Sequence, residues 1–82
     1  MGYQMMKKRE ILTKSGQTSP NGNINTGKTI SDGIISCAWT TSGTYACAPS
    51  LQNNTWWIHI RSANSSGAVL ASTDITVNYI ME

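Results

Sequence analysis

The sequence predicts an all-β fold: a small antiparallel β-sandwich of the immunoglobulin-like or fibre-tip-like kind, with a flexible N-terminal arm. Ser, Thr, Asn and Gly make up 34 of the 82 residues, and this composition favours turns and short strands over helices. Apolar stretches are separated by Gly- or Asn-containing breaks about every 10–12 residues, a spacing typical of small sandwiches. No long helical pattern follows residue 14.

The chain is expected to divide into an arm with a Gly/Asn-rich loop, residues 1–29, and a β-sandwich domain, residues 30–82. Residues 15–29 contain three Gly, one Pro and three Asn, which indicates a loop or an extended arm rather than a packed element. The basic segment before it, residues 3–14, fits neither the helical nor the strand period well. It could form an edge strand, a helical turn or a flexible tail.

The first two strands of the body are predicted at residues 34–39 and 44–48. Gly43 lies between them, and Pro49 ends the second run, so we expect a hairpin. Pairing centred on Ser42 would place Trp39 opposite Tyr45 and Cys37 opposite Cys47 on one face. In a protein made in the cytoplasm, two small buried thiols are the expected state of the cysteines, with a cross-strand disulfide as the alternative.

The clearest predicted strand is residues 55–61, which follows a turn at residues 52–54. A second turn is predicted at residues 62–67, a short strand at 68–71 and a last strand at 73–80. Since neighbouring side chains point to opposite faces of a strand, the pattern at 55–61 separates two sets, Trp56, Ile58 and Ile60 from Trp57, His59 and Arg61.

Length and charge exclude several classes of protein. A chain of 82 residues forms at most one domain with a marginal core, which oligomerisation often stabilises. The net charge of +2 is too small to indicate a nucleic-acid surface. No apolar run is long enough for membrane insertion, and the basic cluster Lys7, Lys8 and Arg9 is not followed by the apolar core of a signal peptide.

The sharpest motif match is Gly22 to Thr29, which satisfies the phosphate-loop formula. That motif needs a hydrophobic strand before it and a helix beginning near its lysine. Neither is predicted here, because polar residues precede Gly22 and a turn at Asp32 and Gly33 follows. We therefore interpret the segment as a Gly-rich loop and expect no bound cofactor.

No catalytic or metal site is predicted. His59 is the only histidine, and no nucleophile or orienting acid accompanies it in a recognisable pattern. Cys37 and Cys47 lack the paired spacing of a zinc site. Three copies of His59 around a threefold axis could bind a metal ion, but the prediction is a protein without enzymatic activity.

Contact residues are predicted instead. Trp56 and Trp57 are adjacent and must face opposite sides of their strand, so one belongs to the core and the other faces solvent, a ligand or a second subunit. Shared strand faces bearing Trp57, His59 and Tyr79 would provide a surface for self-association. The full set of expected subunit or ligand contacts is Trp39, Trp57, His59, Arg61 and Tyr79.

The C-terminal half resembles a known kind of module. Residues 38–50 (AWTTSGTYACAPS), 54–61 (NTWWIHIR), 64–67 (NSSG) and 75–80 (ITVNYI) are similar to the distal β-sandwich modules of tail-fibre and receptor-binding proteins of tailed bacteriophages. Those modules have a Trp-x-Ile/Val-His-Val/Ile-Arg strand, an Asn/Gly turn and a closing Val-x-Tyr strand. The similarity covers residues 34–81, whereas the long N-terminal shaft of fibre proteins has no counterpart here.

The resemblance implies a structural component of a virion. It suggests a homo-oligomer, with a trimer favoured, that contacts other virion tail proteins and a host-surface glycan and is made in the host cytoplasm. No catalytic residue is carried over. The alternative is a stand-alone carbohydrate-binding immunoglobulin-like module, in which an exposed aromatic such as Trp57 or Trp39 would stack on a sugar.

Overall fold

Two packed antiparallel sheets form the structure. The computed structural model describes residues 9–41 and 44–82, and they confirm the predicted fold class, a small all-β sandwich. A 3₁₀ turn at Ile30–Asp32 connects the second and third strands. The six strands are β1 (Glu10–Gln17), β2 (Asn23–Thr29), β3 (Ile35–Thr40), β4 (Tyr45–Gln52), β5 (Thr55–Ser62) and β6 (Asp74–Met81).

Each sheet has three strands with one strand at its centre. The strand orders are β1–β6–β3 and β2–β5–β4, with every pair antiparallel. Ile58 and Ile60 on β5 and Val77 on β6 have 0% of their surface exposed. Burying such a side chain contributes about 1.5–3 kcal/mol, so the centres of the two sheets hold the sandwich together. The buried hydrophobic residues are Ile24, Ile35, Ile58, Ile60, Val77, Tyr79 and Met81.

The turn predicted at residues 52–54 and the strand predicted after it are confirmed, and they form a hairpin with β4. Asn53 and Asn54 have φ angles of 51° and 64°, the left-handed conformation that a tight type I′ hairpin turn requires and that Asn tolerates. β5 extends the predicted strand by one residue. The turn predicted at residues 62–67 is also confirmed: Gly67 N donates to Asn64 O at 3.2 Å.

The predicted hairpin between β3 and β4 is wrong. β3 pairs with β6, and β4 pairs with β5, so the two strands belong to different sheets. β5 and β6, which carry the fully buried side chains, are the central strands, and a neighbour on each side pairs the backbone groups of these two strands. The expected Cys37–Cys47 and Trp39–Tyr45 cross-strand pairs therefore do not form, while Ser42 and Gly43 lie outside the described residues.

The division into an arm at 1–29 and a sandwich at 30–82 is also wrong for residues 10–29. Residues 10–17 and 23–29 form β1 and β2, one edge strand in each sheet. For residues 10–14 the edge-strand alternative is the one observed. Thr18, Ile24 and Thr26 are buried. A polar segment can pack in this way because the hydroxyls of both threonines have hydrogen-bond partners. Residues 1–8, with Lys7 and Lys8, lie outside the described residues.

Two smaller expectations need correction. Pro49 does not end β4 but lies inside it, opposite Ile58; an edge strand tolerates proline because one of its sides needs no donor. The segment 68–71 is not a regular strand but makes one isolated bridge between Val69 and Arg61. The last strand, predicted at 73–80, is shifted by one residue and is otherwise confirmed.

Gly33 allows the chain to pass close to the C-terminus. Its φ angle is 125°, and a Cβ atom there would overlap the carbonyl oxygen of Glu82. Next to it, Ile34 and Glu82 exchange two backbone hydrogen bonds of 2.9 Å. Only glycine combines this conformation with so close an approach.

Candidate functional site

Three of the five predicted contact residues lie together on the outer side of β5. Ile58 and Ile60 face the core, so Trp57, His59 and Arg61 point outward, as the sequence pattern predicts. Trp57 and His59 are half-buried and Arg61 is exposed. We call the outer side of the β2–β5–β4 sheet around these three residues the β5 face.

Hydrogen bonds order His59 and Arg61 on the β5 face. Arg61 Nη2 lies 3.0 Å from His59 Nε2, and His59 Nδ1 lies 3.0 Å from Asn23 Oδ1. Because a guanidinium nitrogen can only donate, the His59 Nε2 accepts from Arg61. The imidazole therefore carries its proton on Nδ1, which donates to Asn23 Oδ1. Among residues 9–41 and 44–82, the hydrogen bonds of His59 go to an amide and a cation, and neither is the carboxylate that orients a catalytic histidine.

The neighbours of this row on β4 are small. Ala46 lies opposite Arg61, Ala48 opposite His59, and Ser50 opposite Trp57. Because these side chains are short, they leave the neighbouring side of the row of Trp57, His59 and Arg61 accessible. The β5 face therefore presents an aromatic ring, an imidazole and a guanidinium in a fixed line, which is suited to contact with a second surface.

Trp39 lies on the other side of the sandwich. It is half-buried on β3, opposite Asn78 on β6. Asn78 is flanked on its other side by Thr13, whose hydroxyl donates to the Asn78 Oδ1 at 2.8 Å. In the neighbouring row, Ser15 Oγ and Thr76 Oγ1 are 2.8 Å apart. We call this outer side of the β1–β6–β3 sheet the β6 face.

Tyr79 is not on either face. Only 2% of its surface is exposed, because it alternates in phase with Val77 and points between the sheets. Burial raises the pKa of its hydroxyl above 10.0, and the charge of Asp32 adds to the effect. The expected shared surface with Trp57 and His59 is therefore wrong for Tyr79, which is a core residue.

A groove opens at one end of the sandwich, beside the β6 face. Its volume is about 580 Å³, within the range of pockets that hold small ligands. It lies where β6 extends past β3, since Thr40 and Val77 are the last pair of that ladder. We call it the end groove; its lining residues are Ser15, Gly16, Thr41, Tyr45, Leu70, Thr73, Asp74, Ile75 and Thr76.

Both cysteines are free thiols. Cys37 is exposed on the β6 face, where it lies opposite Ile80, so the expectation of a buried thiol is wrong for Cys37. Cys47 packs against the core, and burial, followed by the nearby Cys37, raises the pKa of its thiol above 9.0. Among residues 9–41 and 44–82, no group of three or more His, Cys, Asp or Glu side chains could hold a metal ion.

The phosphate-loop match does not have the geometry of a phosphate site. Lys28 lies within strand β2, with only the short 3₁₀ turn after it, whereas the motif needs the start of a helix. The loop expected there is instead a strand that is irregular between Asn25 and Thr29. The nearby Asp32 carboxylate accepts from Thr29 N at 2.7 Å, and this bond is the main reason that its pKa is lowered below 3.8.

Comparisons with known proteins add no relative. No protein-family model matches the chain, and neither the curated proteins nor the solved structures contain a significant match. Separately, no helix in the described part of the chain is long and apolar enough to cross a membrane.

Sequence reasoning missed several residues that the structure places beside the predicted ones. Asn23 binds His59 from β2, Asn78 lies beside Trp39, and Asp74 lines the end groove. The alternation along β6 separates Asp74 and Asn78 from the inward-facing residues and could have indicated their outer position. Nothing local in the sequence shows that Asn23 reaches His59, 36 residues away.

Proposed function

We propose that this chain is a non-enzymatic virion module of a tailed bacteriophage, part of a tail fibre or tail tip. It assembles as a homo-oligomer, with a trimer favoured, and contacts other tail proteins and the host surface. It is made in the host cytoplasm and incorporated into the particle. The resemblance of residues 34–81 to distal fibre modules motivates the proposal, and the all-β sandwich agrees with the fold that the resemblance implies.

The observation that carries the assembly role is the ordered row on the β5 face. Trp and Arg dominate the energetic centres of protein interfaces, and here Trp57 and Arg61 stand on one strand with a histidine between them. The hydrogen bonds that join Arg61, His59 and Asn23 hold the imidazole and the guanidinium in place before binding, which lowers the entropy that these two side chains lose on association. The small core of the chain is a further reason for a stabilising partner.

Measurement of the native mass tests this proposal. We expect the full chain to be an oligomer at micromolar concentration by native mass spectrometry and light scattering. Trp57→Ala and Arg61→Ala should each weaken the assembly roughly 30-fold, the effect of losing about 2 kcal/mol at an interface centre.

The matched control is Arg9→Ala, which removes a cation from the end of β1, where Arg9 contacts Glu82 at 3.3 Å. It should leave the assembly unchanged. Antibodies against the chain should also detect it in purified particles. A monomer at all concentrations, absent from particles, would contradict the proposed role.

A stand-alone carbohydrate-binding module is the second candidate. It is favoured by the β6 face, where Trp39 lies opposite the uncharged Asn78, which is flanked on its other side by Thr13. A monomer that binds glycans would favour this candidate, whereas an oligomer found in particles favours the first.

A further inference from the structure

We infer that the β6 face and the end groove together bind a neutral oligosaccharide, with one sugar ring on Trp39 and the next in the groove. This inference rests on the proposed role as a binding module and names its ligand class. Trp39, Asn78 and Thr13 form a row across three strands. An aromatic ring beside amide and hydroxyl groups offers a stacking surface together with hydrogen-bond partners.

The hydrogen-bond partners on this face are ordered without ligand. The Asn78 Oδ1 accepts from Thr13 at 2.8 Å, which directs the Asn78 amide group and leaves its nitrogen to donate. The Ser15 and Thr76 hydroxyls, which are 2.8 Å apart, form the next row and also line the end groove. Rows on the same face are about 7 Å apart, so an extended chain of sugars can contact the tryptophan and the groove at once.

The end groove offers both apolar and polar contacts to a sugar. Leu70 and Ile75 contribute apolar walls, and Tyr45 contributes a ring. Among the described residues, no hydrogen-bond partner is found for the carboxylate of Asp74 or the hydroxyl of Tyr45. A carboxylate that accepts from sugar hydroxyls makes charge-assisted hydrogen bonds, which are about twice as strong as neutral ones.

The charge distribution favours a neutral sugar over an acidic one. The ionisable side chains of β1, Glu10 and Lys14, lie opposite Met81 and Val77, which face the core. The carboxylate of Asp74 is the charge that lines the groove, and it would repel an acidic saccharide. A basic face suited to nucleic acid or acidic lipid is absent from this side of the described chain.

Titration of the full chain with hexasaccharides of glucose and of N-acetylglucosamine tests the inference. Calorimetry and tryptophan fluorescence should show saturable binding of at least one of them, while a sialylated trisaccharide binds more weakly. Trp39→Ala and Asp74→Asn should each weaken binding about tenfold or more. The matched control is Asp32→Asn, the same substitution in an exposed residue away from the face, and it should leave binding unchanged.

The outcomes are distinct from those of the assembly test. Circular dichroism verifies the fold of each variant, and the conservative Trp39→Tyr, which keeps a ring, should retain part of the affinity if Trp39→Ala does not fold. Absence of saturable binding at millimolar hexasaccharide would overturn the inference. So would binding that survives both Trp39→Ala and Asp74→Asn, or a preference for the acidic sugar, whatever the oligomeric state proves to be.

Discussion

The buried hydroxyl of Thr18 ties the first part of the chain to the segment before β6. Its Oγ1 donates to Leu70 O at 2.5 Å and accepts from Thr73 N at 3.0 Å, and Thr18 is only 3% exposed. Thr18→Val keeps the shape of the side chain but removes both hydrogen bonds. It leaves a carbonyl and an amide without these partners.

The expected loss of stability follows from these two bonds. Each buried hydrogen bond contributes about 0.5–1.5 kcal/mol, so Thr18→Val should reduce the free energy of unfolding by about 1–3 kcal/mol. A domain of 82 residues has a total stability of about 4–12 kcal/mol. The change should therefore be visible as a lower midpoint of urea unfolding, monitored by tryptophan fluorescence with an unchanged slope.

Thr13→Val is the matched control for this measurement. Thr13 also donates one side-chain hydrogen bond, to Asn78 at 2.8 Å, but does so on an exposed surface. Surface substitutions usually change stability by less than about 0.5 kcal/mol. A loss of stability for Thr18→Val no larger than that for Thr13→Val would show that the Thr18 hydroxyl does not anchor the packing of residues 15–29.

Three further predictions concern the backbone and pH. Gly33→Ala should cost more than about 2 kcal/mol, because the new Cβ atom overlaps the Glu82 carbonyl; Gly67→Ala, also at positive φ but in open space, should cost less in the same urea assay. The lowered pKa of Asp32 means that its contribution is complete above pH 3.8 and is lost as the pH falls through the lower folded-state value. Asp32→Asn should thus make the thermal midpoint less sensitive to acidification in that range, and an unchanged acid dependence would contradict this. Asn54→Ala should lose about 1–2 kcal/mol by placing alanine in the left-handed conformation, whereas Asn54→Gly should lose less.

The β4–β5 hairpin shows how much of the fold local patterns predict. Asn53 and Asn54 favour the turn through their own conformational preferences, and the alternation of β5 assigns Ile58 and Ile60 to the core. The partners of β3 and β4 could not be predicted in this way. β3 pairs with β6 and β4 pairs with β5. These pairings depend on contacts between residues that are far apart in sequence.

The same distinction applies to the candidate site. Alternation along β5 predicts the row of Trp57, His59 and Arg61, because the side of a strand to which each side chain points is set by its position in the strand. Trp39 has an equally clear pattern, but only the sheet order places it on the opposite side of the sandwich. Tyr79 shares the side of β6 that carries Ile75 and Val77, so alternation indicates a core position for it, and its expected place on a contact face was wrong.

By itself, the sequence determined the fold class, most strand and turn positions, and the two sides of each strand, because these depend on composition and on alternation over neighbouring residues. The tertiary structure alone decided the strand partners, the inclusion of residues 10–29 in the sheets, and the position of Trp39 opposite Asn78. The physical reason is that burial and hydrogen bonding are shared between distant segments. Thr18 is buried only because Leu70 and Thr73 meet its hydroxyl.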